Sequence, residues 1–168
     1  MNMINKLFQA AQSNKFKEVK EILELNTELA NNENNEGLTP LGYAAHFGNK
    51  ESVQILLQYG ADVNAVSHSK IPYIPSNTAL HAAIAGERNI DVIRLLIKNG
   101  ARTNILDSNG QTCLHSAAFH NNSDEIIKLL IENDAPLQVK DNEGKTAYDI
   151  AREQGNEQIS VLLREHDK

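Results

Sequence analysis

A chain of 168 residues, 40% of them hydrophobic, has enough apolar material for one folded core without disulfides or metals. Its net charge of -6 lacks the lysine and arginine footprint that a phosphate backbone or an anionic membrane selects, so neither nucleic acid nor membrane is an expected partner. Cys113 is the single cysteine, which rules out an internal disulfide and fits a reducing, cytoplasmic setting.

The N-terminal stretch MNMINKLFQAAQSNK carries Asn5 and Lys6 inside its apolar run and has no small-residue cleavage pattern, so it reads as part of the fold rather than a leader. No apolar run approaches the roughly 18 residues that a membrane span requires. Apolar residues at i, i+3 and i+4 then recur along the chain as Val19/Ile22/Leu23, Val53/Leu56/Leu57, Val92/Leu95/Leu96, Ile126/Leu129/Leu130 and Ile159/Leu162/Leu163. Their first members lie 34, 39, 34 and 33 residues apart. Each triplet shares one helical face, so each predicts a helix, and the near-constant interval predicts a repeat array. A second helix precedes each of the last four, opened by Thr39, Thr78, Thr112 or Thr146, whose hydroxyls can cap first-turn amides. Pro40 follows Thr39 at the first helical position, where its missing N–H costs nothing. Ala44-Ala45, Ala82-Ala83, Ala117-Ala118 and Ile150-Ala151 are small enough for neighbouring helices to approach closely. Between helix pairs, DSNGQT (107–112) and DNEGKT (141–146) predict tight β-like turns, with Asp opening the turn and Gly taking positive φ.

The segments TPLGYAA (39–45), TALHAA (78–83), TCLHSAA (112–118) and YGADVNA (59–65) resemble ankyrin repeats over about residues 4–165. The resemblance implies an all-α ankyrin-repeat solenoid of stacked helix-turn-helix units with short β-hairpin-like turns. One domain spanning 1–168 is expected, with a cap repeat at about 4–38, internal repeats at about 39–77, 78–111 and 112–145, and a cap at about 146–168. Polar Asn5, Lys6, Gln9 and Gln12, and Tyr148-Asp149 in place of Leu-His, suit terminal repeats with a wettable outer face. His81 and His115 occupy Thr-x-Leu-His positions, where the resemblance implies imidazoles bridging neighbouring turns. Gly42 and Tyr43 depart from the family's His-Leu, and a helical Gly costs up to about 1 kcal/mol relative to Ala. Cys113 replaces the usual proline after Thr112 and is expected to be an inert, partly buried thiol.

The resemblance also implies a partner protein held on a concave face of turn tips and first-helix ends. Mapped onto this chain, that face contains His46, Phe47, Asn109, Gln111, Phe119, His120, Asn142, Lys145 and Glu153. Phe47 and Phe119 are read as matching positions, either exposed for contact or tucked against a neighbouring helix.

One stretch departs from the period. Gly60 to Thr78 spans 18 residues against 12 from Gly100 to Thr112, an excess of six. The excess lies within about 66–76, VSHSKIPYIPS, where Pro72 and Pro75 favour a stiff projection and Ile71, Tyr73 and Ile74 have no helix to pack on. Those three side chains either meet a partner or fold back over the adjacent turns.

Chemistry-bearing motifs are sparse. Ser116 follows His115 without a GxSxG elbow, so a hydrolase is not expected. The six histidines show neither HExxH nor Cys/His pairing, and DSNG lacks the distal glutamate of a calcium loop. NNS (121–123) matches a glycosylation acceptor, which means little without secretion. The chain therefore reads as a non-catalytic, cofactor-free, monomeric protein-interaction module. Two alternatives stand beside an adaptor role: an inhibitor or immunity-type protein that blocks an enzyme, and a weak metal-dependent activity built from His46, His68 and His120.

Overall fold

A computed structural model of the chain describes residues 1–87, 89–120 and 123–167. Ten α-helices and one 3-10 helix account for its regular structure, with no strand among the described residues. No described helix is long and apolar enough to cross a membrane. The chain divides into two compact units, Met1–Ala101 and Arg102–Lys168.

In the first unit, α1 (Met3–Gln12) pairs with α2 (Phe16–Leu25), α3 (Pro40–His46) with α4 (Lys50–Gln58), and α5 (Ala79–Gly86) with α6 (Ile90–Lys98). The first helices pack in the order α1, α3, α5, and the second helices in the order α2, α4, α6. A 3-10 helix, Thr27–Asn31, follows α2 and buries Leu29 and Ala30. The second unit pairs α7 (Cys113–Phe119) with α8 (Asp124–Glu132), and α9 (Ala147–Glu153) with α10 (Glu157–His166). Within it α7 packs on α9 and α8 on α10.

The four threonines open their helices as the sequence predicts. Thr39 Oγ1 accepts from the Gly42 amide at 3.0 Å, and Thr78, Thr112 and Thr146 accept from the amides of His81, His115 and Asp149. In the last three the side chain at the third helical position returns a bond to the threonine amide, closing a reciprocal cap. Gly42 has no side chain to do so, which leaves α3 with half the device. Asp149 does the same work as His81 and His115 in the last repeat.

Alanines let the first helices approach: Ala44, Ala45, Ala83, Ala117, Ala118 and Ala151 are all buried. The ends of α3 and α5 meet closely at Gly86, where an added Cβ would stand 1.9 Å from the His46 carbonyl oxygen. Only glycine lets the end of α5 come this close to the end of α3.

The second helices bury Val19, Ile22 and Leu23 in α2, Val92, Ile93 and Leu96 in α6, and Ile126, Ile127 and Leu130 in α8. Leu95 and Leu129 are only half-buried. In α4 the expected triplet is one residue out of register. Ser52, Val53 and Leu56 are buried and Leu57 is half-buried. Leu56 stands four residues before Gly60 as Leu96 stands before Gly100, so Ser52 takes the place of Val92. Its burial is compensated by Asn14, whose Oδ1 accepts from the Ser52 hydroxyl at 2.9 Å and from its amide at 3.2 Å. A polar residue in an apolar slot displaced the pattern seen in the sequence.

Leu96 is fully enclosed among these helices. Leu96→Ala is expected to lower unfolding stability by about 2–5 kcal/mol, read from the urea midpoint at unchanged m-value.

Candidate functional site

The turns are the platforms on which the candidate residues sit. In the second unit Asp107 N donates to the Gln111 carbonyl at 2.8 Å, and Gly110 N to the Asp107 carbonyl at 3.0 Å. Asp107 Oδ1 also accepts from the amides of Asn109 and Gln111, both at 2.9 Å. The Asp141–Lys145 turn repeats every one of these bonds with the amides of Glu143 and Lys145. Gly110 and Gly144 take φ of 73° and 80°, the left-handed geometry these turns need. Neighbouring tips are joined by Asn142 N to the Asn109 carbonyl, 3.0 Å, and Asn142 Nδ2 to the Ser108 carbonyl, 3.3 Å. His115 makes the bridge that the family resemblance implied: Nδ1 faces Thr112 Oγ1 at 2.9 Å while Nε2 reaches the Lys145 carbonyl, also at 2.9 Å. His81 Nδ1 meets Thr78 Oγ1 at 2.8 Å.

Several candidate contact residues also bond within the fold. Half-buried Gln111 donates to Asp141 Oδ2 at 3.0 Å. Lys145 Nζ lies 3.0 Å from Glu153 and 3.4 Å from Glu143, and those carboxylates, Glu153 first, hold its ammonium above the ordinary lysine range. Burial pushes the Asp141 carboxyl up, but the Lys145 amide, the Gln111 side chain and the Glu143 amide, with His115 nearby, hold it below the ordinary value.

At the end of α7, Phe119 is 52% exposed and its ring meets His120 edge-on, 5.1 Å between centroids. In the first unit His46 and Phe47 form a similar edge-on pair at 5.2 Å. The two pairs are not in matching register. Phe47 caps α3 as His120 caps α7, whereas Phe119 is the last residue of α7 as His46 is of α3. Their environments differ too. Phe47 is half-buried with its ring 5.1 Å from Tyr43, which lies 5.1 Å from Phe8. Burial, with Glu36 nearby, raises the Tyr43 hydroxyl above its ordinary pKa. Phe47 thus tucks into an aromatic row while Phe119 stands out.

The insertion is an enlarged copy of the same turn. In the preceding repeat Asn34 N donates to the Leu38 carbonyl at 3.0 Å, and Asn34 Oδ1 accepts from the amides of Glu36 and Leu38. Ser67 N donates to the Asn77 carbonyl at 2.9 Å, so Ser67 and Asn77 take the closing positions with six additional residues between them. Asn77 N donates to Ser67 Oγ and Ser69 N to Ser76 Oγ, both at 3.0 Å. One arm is docked on the preceding turn by His68 N to the Gly37 carbonyl, 3.0 Å, and Lys70 N to the Glu36 carbonyl, 2.9 Å. His68 Nδ1 lies 2.6 Å from Glu33 Oε1. The segment is therefore a tied hairpin rather than the extended rod its prolines imply. Ile71 and Ile74 are half-buried, while Tyr73 is 84% exposed. Ile71 and Ile74 are thus partly covered, as the packing reading expects, and Tyr73 is not.

Among the described residues no group of three or more His, Cys, Asp or Glu side chains could hold a metal ion. His46 and His68 belong to the first unit and His120 to the second, and His68 already faces Glu33. Asn121 and Asn122 of the glycosylation-type triplet lie outside the described residues. Cys113 is buried, not partly exposed; its Sγ donates to the Thr103 carbonyl at 3.3 Å, and burial pushes the thiol up to about 12.

Sequence comparison agrees with this arrangement of capped helix pairs and tight turns. A family model described as ankyrin repeats (3 copies) matches residues 4–67 and 80–168, and one described as ankyrin repeats (many copies) matches 43–97. The chain belongs to the ankyrin-repeat family. It is 38% identical over 77 residues to an ankyrin repeat protein of fowlpox virus (strain NVSL), covering 46% of this chain and 21% of that protein. It is 36% identical over 78 residues to Rabankyrin-5 of Homo sapiens, covering 46% of this chain and 6% of that protein. The chain therefore matches only a small part of these relatives. Ankyrin repeats are generally protein–protein interaction modules, and the family is typically non-catalytic.

Two outcomes follow for titratable groups. A carboxyl held low by folding stabilises the protein above its unfolded value of about 4, and that contribution fades as pH falls through the folded value. Acidification below about pH 4 is expected to lower the melting temperature less steeply in Asp141→Asn than in the parent chain, as followed by circular dichroism. A thiol-reactive dye is expected to leave native Cys113 unmodified at pH 8 and to label it fully in denaturant.

Proposed function

We propose that the chain is a non-catalytic protein-recognition module that docks a partner through its turn tips and first-helix ends and through the hairpin at 66–76. The supporting observation is the contrast among aromatic side chains. Phe8, Tyr43 and Phe47 pack on one another, whereas Phe119 and Tyr73 stand in solvent on backbone fixed by hydrogen bonds. Large apolar groups on rigid supports lose little freedom on binding, which is the character of interface anchors. Asn109, Asn142, Lys145 and Glu153 then supply a polar surround. In this reading the chain acts in the cytoplasm as a monomer and takes neither nucleic acid nor membrane.

An inhibitor or immunity-type role is the second form of the same reading. The projecting hairpin favours it, since a protrusion can obstruct an opening on a partner.

Affinity capture from the cells that produce the protein, comparing the intact chain with a Tyr73→Ala/Phe119→Ala variant, tests the proposal. The partner is expected to be retained at least about tenfold less by the variant, with its melting temperature unchanged. Equal retention would move the binding surface elsewhere.

A further inference from the structure

We propose that the inserted hairpin is a preset plug, its Tyr73 ring entering an apolar recess with an acidic rim on the partner protein; this rests on the protein-recognition reading above. The case begins with the backbone. Ile74 N donates to the Ile71 carbonyl at 3.1 Å, closing a turn that places Pro72 and Tyr73 at its two corners. Proline fixes φ at the first corner, and Pro75 stiffens the exit. Below the turn, Ser69 N bonds Ser76 Oγ and Ser67 N bonds the Asn77 carbonyl, so the arms are held together at two levels. On either side of Ser69, His68 N and Lys70 N bond the Gly37 and Glu36 carbonyls and anchor this arm to the preceding turn. Gly37 lets that contact form, because a Cβ there would stand 1.9 Å from the His68 carbonyl oxygen.

The side chains divide accordingly. Ile71 and Ile74 turn partly inward, and Tyr73 is left 84% exposed at the apex. A tyrosine on ordered backbone has only two side-chain torsions to lose, so its ring can be buried by a partner at small entropic cost. A convex tip is buried by a recess and not by a flat surface, which sets the partner's shape. Charge sets its rim. Residues 66–76 contain Lys70 and His68 and no carboxylate; His68 faces Glu33 of the preceding repeat at 2.6 Å, and Lys70 is exposed next to the Ile71–Ile74 turn. Lys70 is thus the cation offered next to the apex, complementary to carboxylates around the opening that the tip enters.

The test places the photoreactive residue p-benzoylphenylalanine at position 73, and in a separate chain at position 119, of the full-length protein in the cells that produce it. Cross-linked peptides are mapped, and the purified partner is titrated with the parent chain, Tyr73→Ala, Lys70→Glu and Phe119→Ala. The expected result is a cross-link from position 73 into a recess bordered by Asp or Glu. Tyr73→Ala is expected to weaken binding at least about tenfold, and Lys70→Glu several-fold with a larger loss at low than at high salt. Both variants are expected to melt with the parent. A cross-link from 119 alone, unchanged affinity in Tyr73→Ala, tighter binding by Lys70→Glu, or a lowered melting temperature in Tyr73→Ala would overturn the plug while recognition through Phe119 stands. No cross-link from either position, with Phe119→Ala and Tyr73→Ala both binding as the parent does, would overturn the plug and the recognition reading together.

Discussion

No helix pair in this chain can bury its own apolar stripe, and the rest of the structure follows from that constraint. Val19, Leu56 and Leu96 reach zero exposure only because helices of adjacent repeats lie against them within the first unit, and Leu114 and Leu130 do so in the second. Stability is then assembled from nearest-neighbour contacts, and each contact requires that backbones come close. Small residues meet that requirement at the first helices, most tightly where Gly86 faces the His46 carbonyl. The reciprocal caps at Thr78, Thr112 and Thr146 satisfy amides that such tight packing would otherwise leave short of water.

A second consequence concerns the turns. One carboxylate oxygen of Asp107, and one of Asp141, serves two amides each, and His115 carries a bond from its own helix cap to the next turn. Side chains that look free in a linear reading, Gln111 and Lys145 among them, also bond within that frame. The large apolar side chains left exposed on that frame include Phe119 at the end of one helix and Tyr73 at the tip of one loop, together with Leu25 and Leu106.

Much of this was legible in the order of residues. Thr-x-x-His and Thr-x-x-Asp are local signals, so the caps at Thr78, Thr112 and Thr146 follow directly from neighbours in the chain. The turns at 107–111 and 141–145 are equally local, and the excess of six residues before Thr78 could be measured against the repeat interval. What escaped depends on partners far away in sequence. Ser52 is buried because Asn14, in the previous repeat, satisfies it, and a reading by hydrophobicity shifts α4 by one residue at that point. Phe47 and Phe119 look alike until their helices are aligned end to end, when the first proves to pack on Tyr43 and the second does not. The hairpin's arms are tied by serine hydroxyls, and sequence patterns built on proline and glycine give no weight to them.

The Ser67–Asn77 closure also bears on how such a protein can change. The same pair of positions that ends a five-residue turn at Asn34 and Leu38 here tolerates eleven residues, and α5 still begins at a capped threonine immediately afterwards. The clasp, with the His68 and Lys70 amides docked on the preceding turn, separates the apex from the architecture behind it. Sequence at the apex, 71–75, is consequently the part free to diversify in length and character, and a foreign segment grafted there would inherit a ready-made pedestal.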